Sequence, residues 1–151
     1  VLNEVLYEAD SDRFVTTVCA RLRPDPPSGA ARMDVAVAGH PAPVVIRTDG
    51  TVEPVDARGV LCGVLPEAEY AETTVWLHRG DTVLLFTDGI YEARGPAGFY
   101  GMDRLYDLLP TLAGAGPDAV CEAVEDSVVS HLAGGQHDDM ALLAVTCGAG
   151  A

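Results

Sequence analysis

Apolar residues recur along this chain with two different periods, and the change of period divides it. From Phe14 to Leu22 they alternate. Phe14, Thr16, Val18, Ala20 and Leu22 make one face, and Val15, Thr17, Cys19 and Arg21 the other, the signature of a strand. Pro24 to Gly29 reads as a loop, Met33 to Ala38 and Val44 to Ile46 as two more strands, and Thr48-Asp49-Gly50-Thr51 as a hairpin turn between Arg47 and Val52. Tyr70 to His78 alternates again. Val83 to Phe86 is apolar at every position, which predicts a strand covered on both faces. The turn His78-Arg79-Gly80-Asp81 between these two runs predicts a hairpin. Elsewhere the period is helical. Leu2, Val5 and Leu6 predict the last turns of one helix, ending at Asp10-Ser11-Asp12. Met102, Leu105, Tyr106, Leu108 and Leu109 predict a second, stopped near Pro110. Pro117 opens a third, with the stripe Val120, Val124, Val128 and Leu132 and an end at Gly134-Gly135. A final strand, Met140 to Val145, follows. Strands, then clustered helices, then a returning strand predict an α+β fold with helices on sheet faces.

Composition narrows the class. The chain has 151 residues, 48% of them hydrophobic, enough for one domain with a real core. Its net charge of −14 argues against nucleic acid and anionic membrane as partners. No apolar run approaches a membrane span, and no signal peptide opens the chain. Cys19, Cys62, Cys121 and Cys147 show no CxxC spacing. Cys19 and Cys121 sit in apolar patterns as small core residues, and a reducing, cytoplasmic setting is expected. Gly59-Val60-Leu61-Cys62-Gly63-Val64 lacks the lysine and helix start of a phosphate-binding loop. Because the chain starts with Val1 inside a helical pattern, its natural beginning is expected upstream.

Two segments put carboxylates at the ends of buried strands. Asp88-Gly89 ends the run Val83 to Phe86, and His137-Asp138-Asp139 precedes the run from Met140. If these strands are antiparallel neighbours, the end of one lies beside the start of the other. Asp88 and the pair Asp138-Asp139 then share one rim of one sheet. Converging oxygen donors, without a histidine or cysteine cluster, suit magnesium or manganese. The competing reading of Asp88 is a helix or turn cap. Thr48-Asp49-Gly50 repeats the letters of Thr87-Asp88-Gly89, but between two short strands it is turn chemistry. His40, between Gly39 and Pro41, is either an acid-base group or a turn former, and Arg94 either a phosphate contact or a carboxylate's partner. Gly89 supports the turn after Asp88, and His137 is either an exposed loop histidine or a group that tunes the carboxylates by hydrogen bonding.

Several stretches together resemble the metal-dependent serine/threonine protein phosphatases (the PPM family), in its bacterial SpoIIE/RsbU branch. They are Phe14-Val15-Thr16-Thr17, Ala38-Gly39-His40-Pro41-Ala42-Pro43, Gly80-Asp81 through Thr87-Asp88-Gly89-Ile90-Tyr91-Glu92-Ala93-Arg94, Tyr100-Gly101-Met102-Asp103-Arg104-Leu105, and Asp138-Asp139-Met140-Ala141. The resemblance implies an αββα sandwich: two stacked antiparallel sheets with helices outside. It also implies a binuclear Mn2+ or Mg2+ site with Asp88 and Asp138 as ligands and Asp139 shaping the site or exchanging roles with Asp138. No protein nucleophile is implied; a metal-activated water attacks phosphoserine or phosphothreonine. The implied partner is a phosphorylated anti-sigma-factor antagonist in a partner-switching pathway.

The family's N-terminal aspartate-glycine motif, whose aspartate bridges the metals, has no counterpart before Phe14. Asp10 and Asp12 lack its strand and glycine context. Gly59 to Gly63 also departs from the usual glycine-x-proline-leucine-glycine. Residues 1–151 are therefore expected to form the C-terminal portion of a single phosphatase domain, with the N-terminal part missing and self-association possible through the gap. Two functions stay open: a phosphatase, and a non-catalytic binding module that keeps the fold without a complete metal site.

Overall fold

The layers follow from one strand, β6 (Thr82–Phe86), whose alternating side chains enter two different cores. Val83 packs with Met33, Val35, Val37, Val45 and Leu77. Leu84 and Phe86 pack with Val44, Ile46, Leu105, Val120, Val124 and Val128. A strand with no polar face needs a cover on each side. A second sheet supplies one cover and helices supply the other. The computed structural model describes residues 1–9, 14–134 and 139–148.

The first sheet contains β1 (Thr17–Asp25), β2 (Ala30–Ala38) and β5 (Thr73–Leu77), in the order β1-β2-β5. The second contains β3 (Val44–Ile46), β4 (Val52–Pro54), β6 and β9 (Leu142–Thr146), in the order β4-β3-β6-β9. All pairings within both are antiparallel. A small hairpin, β7 (Arg94–Gly95) with β8 (Gly98–Phe99), precedes α2 (Gly101–Leu108). A 3-10 turn over Leu109–Leu112 carries Pro110 near its start, and α3 (Pro117–Leu132) follows. Val120, Val124, Val128 and Leu132 are all buried on the second sheet. Each contributes ~1.5–3 kcal/mol through burial. Two stacked antiparallel sheets with helices outside are the expected architecture.

Several local expectations change. The turn at His78 to Asp81 forms no hairpin: β5 and β6 belong to different sheets. The Asp81 carboxylate accepts the backbone N–H groups of His78 (2.8 Å) and Thr48 (3.2 Å) and a guanidinium N–H of Arg47 (2.8 Å). These bonds tie the turn to β3 and so carry the chain into the second sheet. Arg47 also donates to the carbonyl of Trp76 in β5 (2.8 Å), linking the two sheets. Strand β1 begins at Thr17, leaving Phe14 exposed, and runs through Pro24 to Asp25. An edge position tolerates the missing N–H. Cys19 is exposed on the outer face of the first sheet and is no core residue, whereas Cys62 is buried. Burial, then the neighbouring Cys62, pushes the Tyr70 phenol up to about 12.

Helix α1 (Leu2–Glu8) forms where its periodicity predicts, but it is not held by its apolar stripe. Leu2 and Val5 are 52% and 60% exposed. The buried residue is Asn3, whose amide donates to the Leu65 carbonyl (2.8 Å) and accepts from the Gly63 N–H (2.9 Å) and the Tyr70 hydroxyl (3.2 Å). Beyond α1, Asp34 is buried on the outer face among Arg21, Arg23 and Arg32. The Thr74 hydroxyl above all, then Arg32 and Arg21, holds its carboxyl below the usual range against the opposing effect of burial.

Asp81→Ala would leave Arg47 near the sheet junction without its buried partner, and is expected to cost ~3–5 kcal/mol. Urea unfolding followed through Trp76 fluorescence measures it. A loss under ~1 kcal/mol would show that the turn holds without the carboxylate.

Candidate metal centre

Strands β6 and β9 pair antiparallel from Thr82↔Thr146 to Phe86↔Leu142. The expected pairing, Val83 to Thr87 with Met140 to Val145, is therefore found with its ends slightly shifted. Beyond Phe86 the two chains stay joined through Thr87. Its N–H donates to the Ala141 carbonyl (3.1 Å), its hydroxyl donates to the Asp139 carbonyl (3.1 Å), and the Ala141 N–H donates back to that hydroxyl (2.9 Å). The residue after Thr87 is Asp88, so Asp88 and Asp139 come out at one rim, both exposed.

The backbone at Asp88 turns at once. The Ile90 N–H reaches the Thr87 carbonyl (3.1 Å) and the Glu92 N–H the Asp88 carbonyl (2.9 Å). Oδ1 of Asp88 accepts the N–H of buried Gly89 at 3.0 Å. This bond is the turn cap expected of Asp88, and it leaves the carboxylate further acceptor sites. The rim is negative: burial first, then the charges of Glu92 and Asp88, raises the Tyr91 phenol. Asp138 and His137 lie outside the described residues, as do Asp10 and Asp12.

Asp49 sits at the opposite end of β6. Ile46 pairs with Thr82 and Val44 with Leu84, so the turn after Ile46 points away from Asp88. Oδ1 of Asp49 accepts the Thr51 N–H at 2.9 Å, and this bond holds its carboxyl below the usual range. Gly50 takes φ +87 in the same turn. His40 follows the end of β2, half-buried, with Nδ1 3.0 Å from the Pro41 carbonyl oxygen. The Arg94 guanidinium lies over the Phe99 ring, 5.6 Å from the centroid. Thr87 is the residue that sequence reasoning passed over. Its signal was its place between an apolar strand and a carboxylate.

Carboxylate and carbonyl oxygens are the donors that hard divalent cations take. Among the described residues, no group of three or more histidines, cysteines or acids is placed to hold an ion. Asp88 and Asp139 carry oxygen donors of the kind that such an ion takes.

Solved structures place this architecture among PP2C phosphatase domains. The SpoIIE phosphatase domain from Bacillus subtilis, presoaked with Mn, superposes with a TM-score of 0.67 at 18% identity, covering 89% of this chain and 58% of that one. The SiaA-PP2C domain of Pseudomonas aeruginosa gives a TM-score of 0.67 at 21% identity, covering 76% of this chain and 46% of that one. The profile of the Stage II sporulation protein E (SpoIIE) family matches residues 1–148, and the chain belongs to that family. The phosphoserine phosphatase RsbU of Bacillus subtilis is 26% identical over 144 residues, which span 94% of this chain and 42% of RsbU.

Thr87→Val keeps the shape and removes the hydroxyl that joins the two strand ends. Loss of its hydrogen bonds is expected to cost ~1–1.5 kcal/mol locally. Hydrogen exchange at the Ala141 amide should quicken by about tenfold while that at Val145 is unchanged. Equal exchange at Ala141 in both proteins would mean that strand pairing alone sets the rim.

Proposed function

We propose that this chain forms part of a metal-dependent protein phosphatase that hydrolyses phosphoserine or phosphothreonine. The observation that carries the reading is the meeting of Asp88 and Asp139 at one rim, fixed by Thr87, in a SpoIIE-family chain. Asp88 and Asp138 are proposed as ligands, with Asp139 beside them and Gly89 and His137 in support. Divalent manganese or magnesium suits these oxygens, and a structural relative was presoaked with Mn. When bound, such ions activate a water and neutralise phosphoryl charge. The chain's own residues fix where that chemistry occurs. The rigid end of β6 holds Asp88, the Thr87 hydroxyl holds the Asp139 backbone, and no side chain needs to act as a nucleophile.

The substrate is proposed to be a phosphorylated anti-sigma-factor antagonist in a partner-switching pathway. Likeness to RsbU supports this, as it supports assigning residues 1–151 to one domain. Among the described residues no helix is long and apolar enough to cross a membrane, and all four cysteines are free. A reducing, cytoplasmic setting is proposed on the four free cysteines. A second reading, a binding module without turnover, is favoured by the incomplete donor set among the described residues.

Manganese-dependent hydrolysis of a phosphoserine peptide by the full-length gene product decides between them. Asp88→Ala is expected to lower it by about 10²-fold, the scale of several kcal/mol of lost metal stabilisation. Asp49→Ala should stay within about twofold of wild type, as a surface turn position does. Equal losses would show that Asp88 has no special role in the reaction, and absence of turnover in the wild type would favour the binding module. The 151-residue chain alone should turn over far less than the full-length protein. Equal turnover would overturn the two-metal account.

A further inference from the structure

At the rim, the mouth between the two sheets is a cleft of about 290 Å³ whose lining includes Thr16, Thr17, His40, Phe86, Thr87 and Ala141. Thr87 and Ala141 are the residues that join the two strand ends, so this cleft lies at the end of β6 that leads into Asp88. His40 is the one titratable side chain in its described lining. Three features hold it there. The Gly39 N–H donates to the Gly59 carbonyl (2.8 Å), Thr17 and Gly39 form a parallel bridge, and Gly39 sits at φ +64 against the Leu61 side chain. The imidazole is oriented as well. Its Nδ1 faces the Pro41 carbonyl oxygen at 3.0 Å. A carbonyl only accepts, so Nδ1 carries the hydrogen and Nε2 is the nitrogen whose protonation can change. His40 also borders a second cleft lined by Asp56 and Arg58, whose charges pair with each other at 3.5 Å.

Phosphate-monoester hydrolysis makes a specific demand on such a group. Serine and threonine leave as alkoxides of high basicity unless a proton arrives as the bond to phosphorus breaks. We infer that His40 is a catalytic residue of this site, the proton donor to the departing seryl or threonyl oxygen. This rests on the phosphatase reading above. In the step, the bond from phosphorus to the side-chain oxygen breaks as a water oxygen bonds to phosphorus. The imidazolium Nε2 proton passes to the departing oxygen, giving the free hydroxyl and dihydrogen phosphate. The neutral imidazole regains a proton from that phosphate or from solvent. The Pro41 carbonyl keeps Nδ1–H engaged throughout, so Nε2 alone changes state.

The test compares two substrates in the full-length gene product: a phosphoserine peptide and para-nitrophenyl phosphate, whose phenolate leaves without a proton. His40→Asn is expected to lower kcat on the phosphopeptide by about 10²-fold. It should change kcat on para-nitrophenyl phosphate by less than about threefold. His40→Gln, which differs in reach, should give the same split and guards against a folding defect in one variant. Equal losses on both substrates would make His40 a structural or binding residue, and no loss on either would remove it from the reaction. Either result overturns this inference while leaving the phosphatase reading intact. A wild type inactive on both substrates would overturn both. Nitrogen-15 spectra of the 151-residue chain should show the Nδ1–H tautomer in neutral His40; the Nε2–H tautomer would remove the geometric basis of the assignment.

Discussion

Strand β6 has no side that water could share, and the rest of the molecule is arranged to satisfy it. Val83 requires a sheet on one side, while Leu84 and Phe86 require helices on the other. Once both covers are in place, the chain leaving the Phe86 end of β6 reaches solvent at Asp88. A polar group at such an end is held by a fully packed strand and can be positioned far more rigidly than one on a loop.

The two ends are treated differently. At the Thr82 end, Asp81 is buried and its carboxylate is consumed by backbone N–H groups and Arg47. At the Phe86 end, Asp88 is exposed and is bonded through Oδ1 to the neighbouring Gly89 N–H. Both residues are aspartates beside a glycine at a strand terminus. Burial separates the carboxylate that holds the fold from the one that faces solvent.

Much of this was legible because periodicity reports burial directly. The stripe of α3, the doubly covered β6 and the β6–β9 pairing all follow from it. So does the contrast between Asp88 and Asp49, since the length of the preceding apolar run tells a packed strand from a hairpin tip. The failures share a cause. Whether β5 pairs with β6 depends on where Asp81 finds its partners, and those lie 33 and 34 residues away in sequence. Helix α1 is anchored by Asn3 through contacts 60 or more residues distant. Cys19 follows its strand's alternation, but which face is outward is settled by the second sheet. Polar contacts at long range leave no periodic trace, so the stripe of α1 suggested apolar docking where an amide does the holding.

The segment carrying His40 is closed by two glycines that lean on each other's surroundings. A methyl group on Gly59 would run into the Val37 carbonyl, and one on Gly39 into the Leu61 side chain. The turn after β2 and the loop facing it are therefore a matched pair, and drift in one demands compensation in the other. Most surface loops accept change freely. These two are bound to vary together or not at all, so the mouth of the cleft is among the least permissive parts of the molecule's exterior.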